Sequence, residues 1–117
     1  DGLVSCQSFL AYHFAVNDTK LSKKNLFYAV EPSCHQSIQT ITFAASHEFA
    51  EATTDNVPTP GSNPAFPQAW NTSDGYEIGD LCGNSGTLTG PKGGSYTVTQ
   101  VFLNSKAACS SGNYTSP

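Results

Sequence analysis

The chain has 117 residues, room for one small core and no second domain. Charged residues make up only 12%, with five Lys, no Arg and nine acids, for a net charge of -4. That excludes a cationic surface for nucleic-acid phosphates, and 38% hydrophobic residues exclude global disorder. No apolar run approaches the ~20 residues that span a bilayer, so no membrane partner is expected.

Four cysteines, Cys6, Cys34, Cys82 and Cys109, are spread along the chain without a C-x-x-C pair. Zinc-ribbon and thioredoxin-type patterns need that close spacing. An even count of separated cysteines instead predicts two disulfides and an oxidising compartment. Of the three possible connectivities, Cys6 with Cys34 and Cys82 with Cys109 is favoured, because each bridge staples one half of the chain. Each contributes roughly 3–4 kcal/mol in the chain-entropy model. Three N-x-[ST] triplets, at Asn17, Asn71 and Asn113, agree with a mature secreted glycoprotein.

Residues 8–14 are apolar and aromatic and carry His13 between Tyr12 and Phe14. A polar loop at 17–25 holds three of the five lysines, and 26–30 (LFYAV) reads as a short buried strand stopped by Glu31-Pro32. From about 33 to 54 the pattern is helical, with Ser33 or Ser37 as N-cap. Ile38, Ile41, Ala45, Phe49 and Ala52 form one arc, predicted to face the core. His47 and Glu51 share another face with Thr40 and Ala44.

Residues 56–75 hold four of the seven prolines and no periodicity, which predicts a long irregular loop anchored by Phe66 and Trp70. Residues 77–82 (EIGDLC) precede a Gly-rich stretch at 83–94, read as a flexible hairpin connection. Residues 96–103 alternate and form the clearest strand. The tail at 110–117 is expected to fray.

The strongest chemical signal is His47-Glu48-Phe49-Ala50-Glu51, an H-E-x-x-E pattern. Residues four apart share a helix face and can ligate one ion, and the intervening Glu is placed to activate water. Replacing the second His of H-E-x-x-H by Glu51 keeps the geometry. It lowers the Lewis acidity of Zn2+, the first expectation, and admits Ca2+ or Mn2+. An ordinary solvated helix end accounts for the same five residues. Against that, acids near a helix C-terminus oppose the macrodipole and call for a compensating cation. His13, Asp80 and Glu77 are the candidate further ligands, each with a plainer alternative: a backbone-bonded His13, and a turn around Gly79. His35, beside Cys34, reads as a surface or capping residue.

Other chemistries lack their residues. There is no G-x-S-x-G elbow and no G-K-[ST] phosphate loop. Glu48 and Glu51, on adjacent turns of one helix, do not face each other across a sugar.

Taken in order, Tyr12-His13-Phe14, the H-E-F-A-E helix, Ala69-Trp70, E-I-G-D-L-C, the strand at 96–103 and Cys109 resemble the C-terminal half of the EXORDIUM family. These are the phosphate-induced extracellular proteins of plants, with secreted bacterial and fungal relatives. The family's Cys-Gly before the aromatic-His pair is replaced here by Leu10-Ala11, and Asn56-Val57 intervene before Pro58. The resemblance implies an α+β, zincin-like single domain over residues 1–117, either a minimal relative or a processed fragment. It implies metal ligation by His47 and Glu51, with His13 and Asp80 as partners, Glu48 as general base, and the Cys82 to Cys109 bridge. The expected function is that of a small secreted, monomeric metalloprotein hydrolysing peptide or protein substrates. The rival is a non-catalytic cell-wall, signalling or defence module that binds an extracellular ligand and keeps a structural metal.

Overall fold

A computed structural model describes residues 2–16, 20, 26–58 and 70–111. The chain is a small α+β protein with one helix, three two-stranded antiparallel sheets and two disulfides. Strand β1 (Tyr12–Val16) pairs with β2 (Leu26–Val30), placing His13 opposite Ala29. Helix α1 (Ile38–Thr54) follows, then a 3-10 turn at Asp80–Cys82. Strand β3 (Ser85–Thr89) pairs with β4 (Ser95–Thr99), and β5 (Val101–Leu103) with β6 (Ala108–Ser110).

Both favoured disulfides are present, Cys6 to Cys34 and Cys82 to Cys109. The first ties the N-terminal segment to the turn before α1, where Cys34 and His35 take positive φ values of 48° and 53°. That turn, closed by Gln36 N–H donating to Ser33 O at 2.9 Å, delivers Ser37 as the N-cap. Its side chain accepts from Thr40 N–H at 3.2 Å. The second disulfide fastens the 3-10 turn to β6. Phe102 N–H donating to Ile78 O at 3.1 Å fixes residues 77–82 along β5.

Helix α1 docks on β4 through hydroxyls. Thr42 Oγ1 donates to Thr97 O at 2.8 Å, and Ser46 Oγ accepts from Thr99 N–H at 2.8 Å. Thr42 and Ser46, one turn apart, thus satisfy backbone groups on the edge of β4 that faces away from β3. This docking corrects the expected core face in part: Ile41, Ala45 and Ala52 are half-buried, but Ile38 and Phe49 are not covered. Ile38 is 63% exposed and Phe49 73%, whereas Glu48 and Glu51 are buried. Polar pairing orients the helix, and a two-stranded sheet offers no apolar layer broad enough to cover the opposite arc.

Four further expectations are corrected. Leu26–Val30 is a strand but not a buried one, because a lone hairpin has one packing neighbour and leaves Leu26, Phe27 and Tyr28 exposed. The predicted strand at 96–103 divides at Gln100, whose N–H donates to Asn84 O at 2.9 Å. The chain thereby passes from one sheet to another. The Gly-rich stretch contains β3, and only 90–94 is its connection to β4. Ser110, placed in the fraying tail, closes β6. Trp70 lies 6.0 Å from Phe102 between ring centroids and donates Nε1–H to Asn104 Oδ1 at 3.4 Å. Phe66, Asn17, Asn113 and residues 112–117 lie outside the described residues.

Among the described residues, the buried apolar set is Cys82 and Val101, and the buried polar set is His13, Glu48, Glu51, Asp55 and Thr99. The centre of this fold is polar. No helix among the described residues is long and apolar enough to cross a membrane.

Candidate metal centre

Each part of the centre comes from a different element. Along β1 the side chains alternate, so Tyr12, Phe14 and Val16 face outward and His13 turns under the helix. Helix α1 supplies His47, Glu48 and Glu51 and ends on Asp55, whose N–H donates to Glu51 O at 2.6 Å. The segment before the 3-10 turn supplies Glu77 and Asp80, locked together by Glu77 N–H donating to Asp80 Oδ2 at 3.0 Å. Gly79 makes the approach possible. A Cβ there would lie 2.7 Å from His47 Nδ1 and 2.9 Å from Glu51 Oε1, which backbone and side chain cannot both accommodate.

The four expected ligands and the expected base all meet here, in two groups that share Glu51. His47 Nε2 lies 3.0 Å from Glu51 Oε1 and 3.4 Å from Asp80 Oδ1. His13 Nδ1 lies 3.0 Å from Glu48 Oε2 and 3.9 Å from Glu51 Oε2. Within each group the donor atoms fall inside 4.8 Å of one another. Donors sharing one zinc ion at about 2.0–2.2 Å stand about 3–3.5 Å apart, so these separations suit a cation between them.

Two further acids join: Glu77, one of the candidate ligands from sequence, and Asp55, which the sequence reading did not place in the site. Glu77 Oε1 is 3.4 Å from His13 Nε2. Asp55, 1% exposed, passes its backbone carbonyl to the same nitrogen at 3.1 Å. The signal for Asp55 was available, since it lies four residues past Glu51 and eight past His47 on one helix face. Five carboxylates therefore surround two imidazoles. Both Asp55 carboxylate oxygens are buried without a close hydrogen-bond partner, and Glu51 Oε1 and Glu77 Oε1, equally buried, face only a histidine nitrogen each, at 3.0 and 3.4 Å. Such groups cost free energy unless paired, and a bound cation is the pairing their charge calls for.

The histidine tautomers point the same way. Thr99 Oγ1 donates to Gln100 O at 3.3 Å, so at 3.4 Å from His47 Nδ1 it is an acceptor for that N–H. In the neutral ring this leaves the Nε2 lone pair aimed at Glu51 and Asp80, the orientation that outer hydrogen bonds give metal-ligating histidines. In the absence of a cation, protons take its place. Burial lowers the His13 pKa, but hydrogen bonds to Glu48 and Glu77 more than reverse this and push it up to about 10. The hydrogen bond to Glu51 raises His47 against the opposing effect of burial. Burial lifts Glu51, with His47 pulling the other way, and burial with the Glu77 charge lifts Asp55.

A groove of ≈ 660 Å³ opens between α1 and the hairpins β1–β2 and β3–β4, walled by Phe14, Phe27, Tyr28, Phe49 and Tyr96, with His13 and Glu48 in its lining. Burial raises the pKa of Glu31 in the same lining, and the nearby Glu48 charge adds to it. His35 is exposed, outside the centre. No family model, curated protein or solved structure matches the chain.

Proposed function

We propose that the chain is a small secreted metalloprotein of zincin-like design, with a divalent ion, zinc first, held by His47, Glu51 and Asp80. The supporting observation is the 3.0 Å approach of the buried Glu51 Oε1 to His47 Nε2, with Asp80 Oδ1 3.4 Å from the same nitrogen and Thr99 beside the other ring nitrogen. The donor set of one imidazole and two carboxylates suits zinc and also admits manganese. A metal held there would supply Lewis acidity to a scissile carbonyl.

The chain's own residues would do the rest. Glu48, which lines the groove, would take a proton from the attacking water. His13, protonated, donates through Nδ1 to Glu48 and through Nε2 to Asp55 O, and holds the Glu48 carboxylate in one orientation. The aromatic walls of the groove favour apolar side chains of a peptide. Elemental analysis, with peptide cleavage measured before and after chelation, tests this reading. Stoichiometric zinc and cleavage abolished in Glu48→Gln support it, and a metal-free protein with no turnover overturns it.

The polar centre also favours a second reading. With Cys82 and Val101 as the buried apolar residues described, a metal can serve as the folding nucleus of a non-catalytic extracellular binding module. Metal retained without turnover on any peptide library would select it.

A further inference from the structure

The reading above uses one group of donors around Glu51 Oε1 and leaves a second group unexplained. His13 is buried, and its Nε2 faces a backbone carbonyl at 3.1 Å, which accepts only. That nitrogen must carry a hydrogen. In the neutral ring the Nδ1 lone pair then points at Glu48 Oε2 and Glu51 Oε2, lone pair against carboxylate. Such an arrangement persists with a proton or a cation between the three atoms. The spacings of 3.0 and 3.9 Å leave room for either.

We propose, resting on the first ion site, that this is a second divalent-cation site, with Glu51 bridging the two ions through its two oxygens. His47 and Asp80 complete the first site and His13 and Glu48 the second. The order of filling follows from access. The Asp80 side chain is 37% exposed, whereas those of His13, Glu48 and Glu51 are 4%, 10% and 5% exposed. The outer site fills first, and the second ion also meets the charge of the first. Its arrival replaces the His13 proton and turns Glu48 from proton acceptor into ligand. Excess metal therefore silences the activity that the first ion supports.

The test is a metal titration of the unmodified chain. Protein stripped by a chelator and titrated with Zn2+ in a calorimeter is expected to bind two ions in two steps, the second weaker. Loaded with Co2+, it is expected to show the magnetic coupling of a carboxylate-bridged pair, which needs no variant. His13→Gln, checked for folding by circular dichroism, is expected to keep the first equivalent and lose the second along with the coupling. A single ion at saturating zinc overturns the second site and leaves the first standing, whereas no ion overturns both. Two uncoupled ions, or two equivalents retained in His13→Gln, overturn the shared Glu51 site.

Discussion

The two faces of α1 behave in opposite ways. The face bearing Glu48 and Glu51 is buried under β1 and the 77–82 segment, while Ile38 and Phe49 stand in solvent. In most small domains the apolar stripe goes inward and the charged face outward. With Ile41, Ala45 and Ala52 only half-buried, hydrophobic burial alone does not seat this helix. It is held by the Thr42 and Ser46 hydrogen bonds to β4, by disulfides at both ends of the described chain, and by a buried cluster of opposite charges. A fold whose centre is charged depends on whatever balances that charge.

The comparison breaks most directly at Glu51. Glu51→Gln removes the carboxylate that both histidines face, and the account predicts that urea unfolding with zinc present shows a loss of roughly 3–5 kcal/mol relative to the metal-loaded parent. The same variant should bind no zinc at its expected sites. Gly79→Ala comes next. Its new methyl presses on His47 and Glu51, and a cost of about 1–3 kcal/mol is expected, with weaker metal binding by calorimetry. If Gly79→Ala binds zinc as the parent does, the 77–82 segment does not close on the helix as described.

Thr99→Val sharpens the comparison more gently. It deletes the hydroxyl that sets the His47 ring, and zinc affinity is predicted to fall about 10–100-fold with the fold intact. The smallest effect belongs to the outer face. Phe49→Ser exchanges residues of similar helix propensity at a 73% exposed position, so stability should change by no more than about 0.5 kcal/mol. A loss of several kcal/mol there would mean that Phe49 is covered, and would restore the ordinary reading of the helix.

Much of this arrangement was legible in the sequence because it is local. The Ser37 cap, the helix to Thr54 and the one-turn spacing of His47 and Glu51 follow from backbone periodicity. The cysteine pairing followed from spacing along the chain and is found as favoured. The inward face of α1 was not legible, because periodicity identifies an apolar arc without saying whether another layer exists to cover it. Here the partners are two-stranded sheets. The division of the predicted 96–103 strand was equally hidden, since Gln100 turns on a hydrogen bond to Asn84, sixteen residues earlier. Asp55 lay on the visible i, i+4, i+8 line with His47 and Glu51, but it falls one residue past the helix, where periodicity no longer fixes the direction of a side chain. Glu77 was weighed from sequence, and its contact with His13 is set by tertiary packing alone.

The central claim is that the buried face of α1 exists to hold metal, and thermal unfolding of one sample with and without zinc tests it. With free zinc at about 1,000 times its dissociation constant, the native state gains about 4 kcal/mol, and the melting temperature should rise by about 10 °C or more over the chelated protein. An identical melting temperature in zinc and in chelator would contradict the account.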